Sequence, residues 1–179
     1  MKGPLGEAIH LSRRFFGSLS NADPSPADTA WVAGILIPGE AALWQRMSAP
    51  DRRHAAGVAR AVAAELGTSA RREVLAAALL HDVGKVDSDL GTFARVAATV
   101  AGRPPAVRSR SAELARRGGP LGRLGRYLRH PEIGAGLLEA AGSHALTSAW
   151  AGSHHKPEER WDPVVPRDLG RVLKAADDD

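Results

Sequence analysis

The chain has no cysteine in 179 residues, which excludes a disulfide framework and any thiolate metal site. A metal bound here must sit on histidine, aspartate or glutamate. Aromatic residues make up 4%, too few to build the stacking platforms on which single-stranded nucleic acids rest. Alternating runs of β-branched residues are lacking, so strand signals are negligible. No window is long and apolar enough to span a bilayer. The opening stretch carries Glu7, His10, Arg13 and Arg14 and has no apolar core of the kind a secretory signal needs. The expectation is a soluble cytoplasmic protein.

Alanine and leucine are abundant, which favours packed helices. The reading is an all-α fold in one domain over 1–179, with a core of about 44–177 and N-terminal helices over 1–43 packed on it. The net charge is +4 and the basic excess is almost all arginine, 20 Arg against 4 Lys. Without interleaved aromatics that excess does not argue for nucleic-acid binding.

Periodicity gives a helix over 5–17, with Leu5, Ile9 and Phe16 for packing. Asp28 can cap a helix through Trp31, Ile35 and Leu36. Pro38 opens the next, with Ala42, Leu43 and Met47 as its apolar residues. Ser48 or Asp51 starts a helix over 51–66 that Gly67 ends. His54, Val58, Val62 and Leu66 recur every fourth residue in it, so His54 shares the apolar face. Ser69 can cap the helix that delivers His81 and Asp82. A weaker helix covers 86–102 around Phe93, Val96 and Val100, and Gly102 to Gly119 reads as a mobile loop. Between Arg103 and Arg129 stand eight arginines and one acid, Glu113, either a solvated basic loop or a collar that draws in a phosphorylated ligand. Pro131 starts a helix that stops at Gly142. Helices follow over about 144–154 and 167–176, the first opened by His144, with a polar loop over 156–163 between them.

The segment Ala78-Leu79-Leu80-His81-Asp82-Val83-Gly84-Lys85 stands out. An apolar helix ends in an imidazole and a carboxylate side by side, two ligands for a borderline divalent metal. Gly84 fits a left-handed helix end, and Lys85 is a point charge placed to meet an anion. For a lone His-Asp pair, a C-terminal turn with a solvated carboxylate is the better explanation. But the chain has seven histidines, and several lie at helix ends or on an apolar stripe, where imidazole is costly unless something satisfies it.

The order His54, His81-Asp82-x-Gly84-Lys85, His130-Pro131-x-x-Gly134, His154-His155, Asp177 resembles the HD superfamily of metal-dependent phosphohydrolases. It is most similar to the HD-GYP and HDIG-like branches. The resemblance implies a compact helical bundle with a central metal-binding cleft. It implies core ligands His54, His81, Asp82 and Asp177. In two-metal members, His130, His154 and His155 complete a second site with Asp82 bridging. The expected cofactors are two divalent ions (Fe, Mn, Co, Ni or Zn) about 3.5–4 Å apart that clamp the oxygens of an in-line displacement and activate water. One ion falls to His54, His81 and Asp177, and the other to His130, His154 and His155; the alternative is that only one of the adjacent pair reaches the site and the other bonds to a carboxylate such as Glu158. His144 matches no motif position.

Asp82 and Lys85 are the candidate catalytic residues, the lysine offsetting charge on phosphoryl oxygens. The implied activity is hydrolysis of a phosphomonoester or phosphodiester, so the partner is a phosphorylated small molecule or nucleotide. The stretch after His155 has no Gly-Tyr-Pro element, which argues against hydrolysis of cyclic-di-GMP. The alternative is a catalytically weak HD module that binds metal and a phosphorylated ligand in a regulatory role. Asp177 lies two residues from the end of the sequence, so this ligand is expected on a fraying helix end.

Overall fold

The computed structural model describes residues 22–91 and 104–178, with Ala94, Ala98 and Gly102 between them. Among the described residues there is no strand. Their α-helices are α1 (Pro26–Ala33), α2 (Pro38–Arg46), α3 (Ala49–Leu66), α4 (Arg72–Leu80), α5 (Pro105–Ser109), α6 (Ser111–Ala115), α7 (Gly119–Leu128), α8 (His130–Ala140), α9 (Ala145–Ser153) and α10 (Arg167–Asp178). Tighter 3-10 turns cover Gly67–Ser69, Val83–Ser88 and Glu158–Arg160. The expected helix over 5–17, the residues Phe93, Val96 and Val100, and His10 lie outside the described residues. No helix among the described residues is long and apolar enough to cross a membrane.

Helix α4 is the axis of the fold. Every residue from Val74 to Leu80 is buried, so the helix is apolar all round rather than on one stripe. The run Ala76-Ala77-Ala78 lets neighbours approach closely, and α2, α3, α9 and α10 all pack against it. Leu79 and Leu80 are fully buried, and each contributes about 1.5–3 kcal/mol in apolar burial. One continuous cluster joins Val32, Leu43, Val62, Leu138, Trp150 and Leu173 to this helix. The end of α4 is thereby held at the middle of the molecule, and His81 and Asp82 follow immediately.

Several helix ends differ from the sequence reading. Helix α1 is capped by Ser25, whose hydroxyl accepts from Asp28 N at 3.1 Å, so Asp28 lies in the first turn. The helix stops at Ala33, and Ile35 and Leu36 are buried just beyond it. In α2, Trp44 takes the buried place and Ala42 is exposed. Ser48 caps α3 as expected, accepting from Asp51 N at 3.3 Å, and Gly67 ends it with φ of 51°. Ser69 caps nothing: it sits in a 3-10 turn, and α4 begins behind Arg71. No helix starts at 86, because Val83–Ser88 is a 3-10 turn closed by left-handed Asp89 at φ 49°. The stretch read as mobile holds α5 and α6, and α7 follows. These escaped notice because glycine and arginine give no apolar period. Gly125 lets the backbones meet: a Cβ there would stand 2.2 Å from Ala115 N. Helix α10 runs through Asp177, which is buried, so this residue does not lie on a frayed end.

Gly84 is needed for a different reason from the one expected. It is not in the left-handed region. A Cβ on it would lie 2.0 Å from the His130 carbonyl oxygen and 2.6 Å from Gly134 N. The turn after Asp82 thus packs backbone to backbone against the start of α8, which brings His130 to the carboxylate. Gly84→Ala is expected to destabilise the protein by about 3 kcal/mol or more, since overpacking a tight contact forces the backbone apart. Gly136, on the same α8, has nothing within 4 Å of its Cβ position. Gly136→Ala should be neutral or stabilising by about 0.5–1 kcal/mol. Denaturant unfolding of the two variants checks the pair.

Candidate metal centre

Three histidines are built the same way. His81 follows α4, His130 follows α7 and His154 follows α9. The last carbonyls of a helix have no intrahelical partner, and each histidine takes one of them three residues back. His81 Nδ1 lies 2.9 Å from Ala78 O, His130 Nδ1 2.7 Å from Tyr127 O, and His154 Nδ1 2.9 Å from Ala151 O. A carbonyl only accepts, so Nδ1 carries the proton in all three rings and Nε2 points inward. Such a bond to the far ring nitrogen is how a protein orients imidazole toward a metal.

The Nε2 atoms converge on Asp82. Its Oδ1 lies 3.2 Å from His130 Nε2 and 3.7 Å from His154 Nε2, and its Oδ2 lies 3.4 Å from His81 Nε2. Lys85 donates to the same Oδ2. Asp177, from α10, places Oδ1 at 3.1 Å from His54 Nε2 and 3.5 Å from His81 Nε2. His155 completes the set, its Nε2 at 3.1 Å from His130 Nε2. With the His130 proton committed to Tyr127, these two nitrogens can share a proton only if His155 donates. They can otherwise both face a cation.

Two ligand groups result. Asp82, His130, His154 and His155 form one; His54, His81 and Asp177 form the other, with the donor atoms within 4.8 Å of one another in each. The donor set fits a divalent cation. His81 Nε2, Asp82 Oδ1 and His154 Nε2 are buried yet make no hydrogen bond. Leaving such atoms unpaired is costly, and their shared direction gives a cation somewhere to replace the missing partners.

Charge in the cluster is tightly balanced. Burial opposes ionisation of Asp82, but the Lys85 and His81 cations outweigh it and hold the carboxyl well below the usual range. Asp177 is likewise low: burial works against it, and the hydrogen bond with His54 and the neighbouring His81 cation prevail. Burial resists a charge on His81, and Asp82 with Asp177 overcomes it and raises the ring to about 10. His154 and His155 go the other way. Desolvation lowers both, even though one edge of His155 is exposed, and the neighbouring imidazoles push His155 to about 3. Both are therefore neutral near pH 7, the form in which imidazole binds metal.

A family model described as HD domain matches residues 53–178. The chain belongs to the HD-domain family. Its members are metal-dependent phosphohydrolases, and the two His/Asp groups lie within the matched span. No curated protein and no solved structure matches the chain.

All seven residues expected at the HD site meet in the structure. His154 and His155 both turn into the cluster. Glu158 is not the partner of either: it accepts from Arg171 at 2.7 Å and from Arg167 through its carbonyl. His144 stands apart and caps α9, its Nδ1 accepting from Leu146 N at 3.2 Å. Lys85 is paired with Asp82 rather than free, and it also lines a cavity of about 530 Å³ beside His130 and His155. The sequence reading did not single out Arg108, Tyr127 and Lys156 on that cavity wall. The described part of the arginine-rich stretch is largely helical, and Arg108 of it lies on the cavity wall while others are drawn into local pairs. Arg117 pairs with Glu113, Arg123 with Asp89, and Arg126 Nε donates to the Asp87 carbonyl at 2.8 Å.

Because His81 is protonated below about 10, a cation entering its group must displace that proton. Calorimetric titration of the metal-free protein near pH 7 should report net proton release in buffers of differing ionisation enthalpy. The apparent affinity should rise as pH is taken from 6 toward 9. Pure apoprotein stability should move the opposite way. A folded-state value above 6.5 contributes stability that is complete below 6.5 and lost as pH climbs through about 10. Thermal melts with and without cation across that range separate the two trends.

Proposed function

We propose that this HD domain hydrolyses a phosphomonoester or phosphodiester, with two divalent ions held by the two His/Asp groups. We take residues 1–179 as one domain, a reading supported by the single core cluster from Val32 to Leu173. The observation that carries the functional proposal is the convergence of unpaired, buried Nε2 atoms on one carboxylate at the edge of a basic cavity. His54, His81 and Asp177 would hold one ion. His130, His154 and His155 would hold the other, with Asp82 between the two groups. Imidazole and carboxylate donors suit Mn, Fe, Co, Ni or Zn. When bound, such ions supply Lewis acidity and a water nucleophile at neutral pH.

The chain's own residues prepare the rest. The three backbone carbonyls keep His81, His130 and His154 from swinging. Lys85 neutralises one oxygen of Asp82 and places positive charge on the cavity wall, where phosphoryl oxygens gain negative charge in the transition state. The cavity opens beside His130 and His155, so the phosphoryl group approaches that pair of imidazoles. The missing Gly-Tyr-Pro element supports a substrate other than cyclic-di-GMP. It also favours a second reading, a module that binds metal and ligand with little turnover.

Metal analysis tests the assignment first. Wild type should bind two ions per chain, and the His130→Ala, His155→Ala double variant one. A wild type that saturates at one ion would reduce the site to a single-metal centre with these histidines serving the ligand. His81→Ala and Asp82→Ala should lose metal and the thermal stabilisation that metal confers by mass action.

Turnover tests the reaction. The metal-loaded protein should hydrolyse phenyl phosphate or bis-p-nitrophenyl phosphate and leave cyclic-di-GMP intact. Asp82→Asn should lower kcat/KM by more than about a hundredfold, since even outer-shell partners of a metal are worth 10–100-fold. Tight metal binding with no turnover of any ester would favour the regulatory module.

A further inference from the structure

We propose that Arg108 and Lys156 form an anion subsite for a second charged group of the substrate, so that the site selects phosphoesters carrying two anionic groups. The inference rests on the phosphohydrolase reading above. It starts from the cavity beside His130 and His155, whose wall includes Lys85, Arg108 and Lys156. At about 530 Å³, it has the volume of a small-ligand site and far exceeds what one phosphate fills.

The cations of this wall differ in what they already hold. Lys85 is committed to Asp82. Arg108 donates its Nε to the Gly102 carbonyl at 3.2 Å, and this bond fixes the guanidinium plane. No carboxylate pairs with it among the described residues, and its two terminal amino groups remain available for a bidentate acceptor. That sets it apart from Arg117, Arg123 and Arg126 of the same segment, each of which has a partner.

Lys156 is the second free cation. Its backbone is fixed directly after His155, with N donating to Ser153 O at 2.8 Å and O accepting from Trp161 Nε1 at 3.0 Å. The acid nearest in sequence, Glu158, is drawn off by Arg171 in a pair of bonds. Lys156 has no salt bridge of its own among the described residues. The wall also carries one acid, Glu132, which two unpaired cations outweigh. A ligand whose scissile phosphate reaches the histidines therefore extends along a wall that is net positive beyond that phosphate. A second phosphate or a carboxylate satisfies it, while a neutral group leaves both cations solvated only by water.

The test compares phenyl phosphate with 4-carboxyphenyl phosphate and 4-phosphonophenyl phosphate, in meta and para forms, on the metal-loaded protein. The second anion should raise kcat/KM about tenfold, the scale of charge-assisted bonds from exposed cations. A larger gain with the phosphonate than with the carboxylate identifies phosphate as the preferred group, and equal gains show that charge alone suffices. Arg108→Ala with Lys156→Ala should erase the gain, Arg108→Lys should keep part of it, and Arg117→Ala should keep all of it. A wild type indifferent to the second anion, or a preference that survives the double variant, overturns the proposal. If no ester turns over, the hydrolase reading fails and the subsite is read by binding. Calorimetry of 4-phosphonophenyl phosphate on the metal-loaded protein should then show about tenfold weaker affinity in the double variant. Equal affinities, or no binding to wild type, would overturn the subsite as well.

Discussion

Two carboxylates, Asp82 and Asp177, are buried within a few ångströms of the same imidazole. Burying a charge without compensation costs far more than a domain's whole stability margin. The fold's central problem is to supply that compensation. Lys85 provides one positive charge beside Asp82, a proton on His81 provides a second between the two carboxylates, and Lys174 stands 3.8 Å from Asp177 Oδ2. The balance is complete but awkward. It depends on a histidine held protonated far from its usual range, and it leaves His154 Nε2 and Asp82 Oδ1 without hydrogen bonds. A cation removes both difficulties together. It replaces the proton and gives the unpaired atoms a partner.

Helix ends place these groups and also set the field around them. Helices α4, α7, α9 and α10 all terminate at the cluster, delivering His81, His130, His154 and Asp177. The C-terminal end of a helix carries about half a negative charge and stabilises a nearby cation by about 0.3–1 kcal/mol. The orphan carbonyls that cause this field are the ones that hold His81, His130 and His154 by Nδ1. One feature of helix geometry thus orients the ligands, fixes their tautomer and favours positive charge in their midst. The arrangement needs the α7 end and the α8 start to sit against the turn after Asp82, which is why a glycine at 84 matters more than its side chain suggests.

The site was legible in the sequence because its residues are the wrong ones for their places. An imidazole at position 54 of an apolar stripe, or behind the buried run Val74–Leu80, asks for an explanation that packing does not give. The cavity was not legible. Arg108 and Lys156 are exposed, and nothing in an exposed arginine says that its carboxylate partner is missing. Gly84 was read correctly as special and for the wrong reason, since a glycine behind a helix looks like a left-handed cap until the chain that approaches it is known. Helix α7 was overlooked for a related cause: Gly122 and Gly125 break the apolar period that marks a helix, yet Gly125 is where α6 approaches backbone to backbone and Gly122 is where the Arg117 carbonyl does. Asp28 misses the true cap, Ser25, by one turn, and Ser69 stands two residues before Arg71, behind which α4 begins with no side-chain cap.

Metal binding and hydrolysis make different demands on this structure. The two ligand groups would serve a regulatory module as well as an enzyme, because both need only convergent donors. Catalysis also needs room for the ester on one side of the cluster and a route by which the leaving group departs. The ligands are not equally enclosed. His81 and His154 are almost wholly buried, while His155 is exposed and faces the cavity with His130. The cavity beside His130 and His155 gives access to the Asp82, His130, His154 and His155 group, while in the other group His54 is itself half-buried. On the proposed function, an ester entering there would meet Lys85 and the imidazole pair first, with its leaving group directed outward along the basic wall. A purely structural metal site gains nothing from such an opening, since closure on all sides is what makes structural sites stable. The opening beside His130 and His155 is the feature of this HD domain that supports the proposed turnover.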